Sequence, residues 1–524
     1  MLVTGCLGGK DGDRAERAEQ ASLVAAVFET PEPYSARTLD STDLATFLTR
    51  HPDYRADSAR MADFYARRDM QFAWTVRDSL TASADAFIAL AGLKGYGVDE
   101  RRPDCDSCAV ESELELTASF FQFAARNYGG QFTQDLRDLD WFIPRAKRDI
   151  AQLMDSLAAG TMDLSAYEPL HPQYQLLRGA FRRLSALSEV PWPTLTLAQG
   201  TRSIKPGDSA PLLMDIRERL RRLGDLAAAD SMLGSVTDSL TASVPEIAPV
   251  LDSVLVVSVQ RFQARHGLEA DGVIGPAFLR EMNVPPAERL RTLLVNMERM
   301  RWLPETQPAN ALVVNIPDFR LHVFEGDSEA FSMRIVVGAE ATHTVIFADT
   351  LTQVVMSPTW TLPMSITRGE ILPALRKNPN YLRAHNMEII GGSKAAPVIR
   401  QRPGPDNALG RVKFLFPNRF NIYMHDTPAR GLFALEKRAF SHGCIRLAEP
   451  KKLADYLLQD DPEWTPERIG KVMLSGRETT VELRQPRPVL ILYFTAWVDG
   501  EGQLNFRDDV YGHDRKLAEE LFRS

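Results

Sequence analysis

The chain has 524 residues, room for about three domains at roughly 150 residues each. Its 44% hydrophobic and 25% charged residues exclude wholesale disorder. A formal net charge of −8, from 61 Lys and Arg against 69 Asp and Glu, gives no global electrostatic reason to bind nucleic acid. Four cysteines are too few to staple a fold of this length, and the most apolar run, Val489 to Val498, is too short to span a bilayer and reads as a buried strand.

At the N-terminus, Val3-Thr4-Gly5-Cys6 resembles the lipobox of bacterial lipoproteins, which implies lipidation of Cys6 and a tether over residues 1–20. The basic and apolar regions that accompany such a box are not seen ahead of it, so a start drawn too far downstream and a chance match both stay open. Residues 21–190 read as a helical scaffold domain. Tyr174, Leu177, Phe181, Leu184 and Leu187 recur three and four apart, as do Leu116, Phe120 and Phe123, and nothing there clusters acid, base and nucleophile. Cys105 and Cys108 form a lone CxxC, which allows a local disulfide, two free thiols, or metal or redox chemistry.

A breaker-rich stretch from Val190 to Ser209 reads as a linker. The segment 200–285 follows, with helices predicted over Leu212–Leu223 and Val254–His266 and a third from Gly275-Pro276. From Asn310 the pattern turns to short β-rich runs at Ala311–Pro317, Arg320–Phe324, Met333–Val337, Gln353–Met356, Asn421–His425 and Val489–Val498. These define a mainly β domain over 308–500, with residues 501–524 as a C-terminal extension. Residues 367–407 interrupt it with a helical piece, Glu370–Arg376, and then loop. An insertion of that length suits a lid, with Gly404–Gly410 as a hinge. The expected class is therefore multidomain α+β.

The chemistry concentrates in Phe440-Ser441-His442-Gly443-Cys444-Ile445-Arg446, with His425 upstream in Tyr423-Met424-His425-Asp426. A thiol becomes a competent nucleophile when a base or cation acts on it, and imidazole suits a base that later returns the proton. Gly443 permits a tight turn that aims N–H groups at an oxyanion, and Arg446 suits a carboxylate-bearing substrate.

The string Ser-His-Gly-Cys-x-Arg with a His ahead of it resembles the L,D-transpeptidase catalytic (YkuD-type) domain. Met300–Pro304, Arg400–Phe414 and His425–Pro428 resemble the large periplasmic L,D-transpeptidases of Gram-negative bacteria. Val259, Phe262, Gln263, Gly267, Leu268, Asp271, Gly272, Gly275, Pro276 and Phe278 resemble the small peptidoglycan-binding domain. The resemblance implies Cys444 as nucleophile and His425 as general base and acid. It implies that Ser441 and His442 shape the pocket, that N–H groups near Gly443 and Cys444 form an oxyanion hole, and that Arg446 orders the loop or meets a substrate carboxylate. Asp426 is either an orienter of His425 or a surface carboxylate, and Tyr423 and Trp360 are either groove walls or core. The implied reaction joins donor and acceptor stem tetrapeptides of peptidoglycan into 3→3 cross-links through a Cys thioester, in the periplasm, with no metal or organic cofactor and with β-lactam carbapenems as covalent inhibitors. Hydrolysis by the same residues (an L,D-carboxypeptidase or cross-link hydrolase) and a non-catalytic wall-binding scaffold are the alternatives.

Overall fold

The computed structural model describes residues 37–40, 42–76, 79–93, 106–130, 132, 134–145, 150–160, 171–226, 249–304, 307–326 and 328–522. Cys6, Cys105 and the long middle of the 200–285 segment lie outside them. The fold is multidomain α+β, and the chain divides into two compact units.

The first unit is mainly helical. It holds α1 (Asp43–Arg50), α2 (Ser58–Ala66), a short β1–β2 pair (Thr75–Val76, Ser79–Leu80), α3 (Ala82–Leu93), α4 (Asp106–Gly129) and α5 (Ile150–Ala158). Leu116, Phe120 and Phe123 are buried among Phe47, Phe64, Trp74 and Phe87, as their helical spacing predicts. Glu113 is buried in that core and accepts from the Trp74 N–H and the Tyr65 hydroxyl, each at 3.0 Å. It is spent on structure. Cys108, in the first turn of α4, is disulfide-bonded.

The second unit begins with residues 134–144 and resumes at Pro172, so the stretch read as one scaffold domain over 21–190 is shared between two units. After α6 (Pro172–Ser185) come α7 (Leu212–Leu223), α8 (Ser253–Arg265), α9 (Pro276–Asn283) and α10 (Pro286–Met300), the last belonging to this unit up to Met297. α7 stops at Gly224, whose φ of 79° suits a left-handed C-cap, and α8 starts where the Asp252 carboxylate accepts the Leu255 N–H at 2.8 Å. Gln263 clamps the following turn, donating to Asp271 at 2.7 Å and accepting from the Gly272 N–H at 2.8 Å. Val259, Phe262, Ile274 and Phe278 close the small core.

The β domain is built on β3 (Leu312–Asn315), β4 (Arg320–Glu325), β5 (Ser328–Gly338), β6 (Phe347–Met356), β7 (Trp360–Thr361), β8 (Met387–Ser393), β9 (Ala396–Gln401), β10 (Val412–Leu415), β11 (Met424–His425), β12 (Ala439–Ser441), β13 (Ile445–Leu447), β14 (Thr479–Leu492), β15 (Ala496–Val498) and β16 (Leu504–Phe506). Nine of these strands form one sheet in the order β12-β5-β13-β11-β10-β6-β14-β3-β4, and a further β4–β5 pairing closes it into a ring. Val489–Leu492 lies between β6 and β3 with every residue buried, which is why that run is continuously apolar. Pro486 and Pro488 cannot donate to the ladder, and the register of β14 shifts there.

Three expectations need correction. Only Met424–His425 of the Asn421–His425 run is strand, because Asn421 takes φ 55° and turns the chain. The second half of the 367–407 insertion is not loop: β8 and β9 form a hairpin that pairs with β7, after α11 (Met364–Ile366), a π-helical turn, α12 (Leu372–Lys377) and α13 (Tyr381–Ala384). The stretch read as a C-terminal extension is integral: β16 pairs with β15, and α16 (His513–Leu521), the helix after α14 (Pro450–Leu458) and α15 (Pro466–Met473), buries Leu517.

Candidate active site

β11 and β13 are parallel neighbours, with Met424 opposite Ile445 and His425 opposite Arg446. That register brings the histidine strand alongside the strand that Cys444 immediately precedes. Ile445 N–H donates to the Tyr423 carbonyl at 3.1 Å, which fixes Cys444 at the mouth of the pair.

The turn before Cys444 is held from within and from behind. Gly443 has φ 107°, a backbone conformation that favours glycine. Its N–H donates to Ser441 Oγ at 3.2 Å, and Ser441 Oγ donates to the Cys444 carbonyl at 2.5 Å. From the β5–β6 turn, Thr344 Oγ1 donates to the Gly443 carbonyl at 2.7 Å and Thr342 Oγ1 to the Ser441 carbonyl at 2.8 Å. Ser441 is thus buried and shapes the loop from inside. His442 is exposed and turns instead toward the insertion, its Nε2 3.0 Å from Glu370 Oε1.

His425 is buried, and its Nδ1 lies 2.5 Å from the main-chain carbonyl of Asp426. A carbonyl only accepts, so Nδ1 carries the proton and Nε2 keeps its lone pair. Burial pushes this imidazole down to about 3, against the Asp426 carbonyl, with the Arg446 charge adding to the fall. It is neutral throughout the physiological range. The Asp426 carboxylate is neither an orienter of His425 nor a surface group. It is buried and accepts from Arg411 N–H at 2.8 Å, Thr427 N–H at 2.7 Å and Arg430 Nη2 at 2.5 Å. A Cβ on Gly410 would come within 2.3 Å of it.

Cys444 Sγ donates to the Asn421 carbonyl at 3.6 Å. Burial pushes the thiol up, opposed by the Tyr423 main-chain N–H, the Tyr423 hydroxyl and the Arg446 charge. Tyr423 is half-buried and also bonds Trp360, so the two aromatics link the thiol to the insertion. Trp360 packs on a small core of Leu362, Ile371 and Ile399. Arg446 Nε is buried with no hydrogen-bond partner among the described residues.

The base of the insertion is pinned where a hinge was expected. Asn407 is buried and donates to the Pro358 carbonyl at 3.1 Å and the Arg402 carbonyl at 2.9 Å, while Gln401 Nε2 donates to the carbonyls of His385 and Asp406, both at 3.1 Å. These amides carried no sequence signal, because their partners are main-chain groups.

A family model described as the L,D-transpeptidase catalytic domain matches residues 309–474, which hold all of these groups. Residues 309–474 are a YkuD domain. A model described as "Scaffold domain" matches 59–181, and one described as "Putative peptidoglycan binding domain" matches 209–282. A Haemophilus influenzae protein named "Putative L,D-transpeptidase" is 33% identical over 241 residues, covering 43% of this chain and 48% of its own length, so the chain spans about half of that relative. Solved structures similar to this chain include an L,D-transpeptidase from Xylanimonas cellulosilytica, at 11% identity and TM-score 0.17 over 56% of this chain and 100% of that one. The Ldtfm–avibactam carbamoyl enzyme is another, at 12% identity and TM-score 0.19 over 60% and 98%.

Proposed function

We propose that the YkuD domain acts as a peptidoglycan L,D-transpeptidase with Cys444 as nucleophile and His425 as base. The observation that supports this reading is the paired register of β11 and β13, which brings the strand of His425, with its carbonyl-oriented imidazole, beside the strand that Cys444 precedes. Cys444 Sγ attacks the carbonyl of the third stem residue, its proton passing to His425 Nε2. The tetrahedral oxyanion is met by N–H groups of the loop. The Gly443 N–H is engaged by Ser441 Oγ, so the Cys444 N–H is the stronger candidate. D-Ala leaves with the proton from His425, and the diaminopimelate amine of a neighbouring stem takes the acyl group from sulfur to give a 3→3 cross-link. Arg446, with its buried Nε open, is the cation assigned to a substrate carboxylate.

The insertion is the lid over this groove, with Trp360 and Tyr423 as its wall. Carbapenems acylate the same thiol. The match to a peptidoglycan-binding domain supports a location outside the cytoplasm, and in this reading the chain is periplasmic, with Cys6 as the site of any lipid anchor. Among the described residues no helix is long and apolar enough to cross a membrane. Mass spectrometry of muropeptides after incubation with tetrapeptide-rich peptidoglycan tests the reading. Dimers linked 3→3 are expected, tripeptides alone would make the chain an L,D-carboxypeptidase, and unchanged muropeptides would leave a wall-binding scaffold.

A further inference from the structure

Behind the nucleophile loop, outside the machinery above, three chain-distant side chains converge. Asp140 Oδ2 lies 2.5 Å from His343 Nδ1, which is 203 residues away in sequence, and 3.4 Å from His513 Nε2. The ligand atoms of all three lie within 4.8 Å of one another. A tetrahedral ion holding imidazole and carboxylate at about 2.0–2.1 Å sets its ligands about 3.3 Å apart. One of the two distances to the Asp140 oxygen already matches, and the other opens by under about 1 Å when the ion replaces the proton between His343 and Asp140.

The surroundings hold the rings in place. Tyr511 stacks on His343 at 4.2 Å, His513 meets His343 edge-on at 5.7 Å, and the Tyr511 hydroxyl donates to the Gly338 carbonyl at 2.7 Å. The stacked and edge-on rings fix the planes of the two imidazoles. The Asp140 and His343 side chains are 27% and 24% exposed, which leaves an entry path, while His513 is buried.

We propose that Asp140, His343 and His513 form a binding site for a divalent transition-metal ion of zinc type. Two imidazoles and one carboxylate favour such an ion over Mg2+ or Ca2+, which prefer all-oxygen sets. The site braces the nucleophile loop. His343 stands between Thr342 and Thr344, whose hydroxyls hold the Ser441 and Gly443 carbonyls, and its own carbonyl oxygen would sit 3.2 Å from a Cβ on Gly443.

The test uses the full chain carrying Cys444→Ala, which removes the other thiol–imidazole pair that could take zinc. After chelator treatment and desalting, Zn2+ is titrated by calorimetry, with Co2+ absorption as a second readout and Mg2+ and Ca2+ as comparisons. One tight equivalent of Zn2+ and a raised Tm are expected. Asp140→Asn and His343→Gln, each in the same background and each checked by circular dichroism in chelator, should weaken binding at least tenfold, and either alone decides. Absence of Zn2+ binding, undiminished binding in both variants, or equal binding of Mg2+ would overturn the site. Hydrogen exchange across residues 441–444 should slow on adding Zn2+, and unchanged exchange with zinc bound would overturn the bracing role.

Discussion

At the residue scale, the electrostatics of Cys444 and His425 point to a neutral pair. Burial holds the thiol up and the imidazole down to about 3, so neither charge is preformed. Acylation by a small β-lactam should therefore rise with pH toward the thiol's titration and show no acid limb near the ordinary imidazole value. A limb between pH 6 and 7 in single-turnover rates would assign His425 an exposed imidazole's behaviour. Cys444→Ala should abolish the thioester adduct in intact-mass spectra while leaving the fold. His425→Gln should slow acylation about 10²–10⁴-fold, the range for loss of a general base. Gly410→Ala places a methyl against the buried Asp426 carboxylate at positive φ, so its unfolding free energy should fall by about 2 kcal/mol or more in denaturant titration. The strand pairing that brings the segments of His425 and Cys444 together agrees with their closeness in the sequence. The Asp426 carbonyl was not legible, because a main-chain acceptor leaves no trace in residue identity.

At the element scale, the insertion has a pinned base and a solvent-exposed ion pair to the loop before Cys444. The Glu370–His442 pair joins it to the nucleophile loop, but both side chains are more than half exposed, at 56% and 54%. Exposed pairs contribute about 0–1 kcal/mol, so Glu370→Gln should change transpeptidation by less than about fivefold. Asn407→Ala leaves the buried Pro358 carbonyl and the part-buried Arg402 carbonyl without their donor, at a cost of about 1–3 kcal/mol. It should raise hydrogen exchange across residues 367–407 and shift products from cross-links toward tripeptides, and an Asn407→Ala protein with unchanged product ratio would argue against a lid. The helical piece read over Glu370–Arg376 lies within the helical turns of Thr367–Lys377, while Tyr381–Ala384 was read as loop. The hairpin was not legible, because Glu388–Gly392 shows no alternation: its exposed Ile389 and Ile390 lie next to each other.

At the scale of the whole molecule, the ring of strands is tied to the last part of the chain by charge as well as by pairing. Arg507 Nε donates to Asp318 Oδ1 at 2.7 Å, and His322 bridges Asp318 and Glu329 at 3.2 Å and 3.0 Å. Burial opposes charging of His322, but the two carboxylates prevail and raise it to about 9. Protonated His322 therefore stabilises the fold fully below the unfolded imidazole value of about 6.5, and that contribution is lost as pH rises through about 9. Unfolding free energy should drop by on the order of 2 kcal/mol across that window, and His322→Gln should flatten the drop. The switch from helical to β-rich pattern near Asn310 was legible in the sequence. The assignment of residues 134–144 and 504–521 to the second unit was not, since it rests on long-range partners such as the Trp141–Ile346 bridge.

The pairing of β3 with β14 has a consequence for how such a domain is handled. The strand that enters the ring and the strand that leaves it lie side by side, Leu312 opposite Val489, about 4.8 Å apart as neighbouring strands are. The pairing is parallel, so the chain enters the ring at the Leu312 end and leaves it at the Leu492 end, and the ring closes only when both strands are present. Residue 474, where the family match stops, is the wrong place to cut, because β6 would lose β14 along much of its length. A recombinant piece spanning 309–474 should accordingly show no cooperative thermal transition, even though it carries every residue of the thiol site.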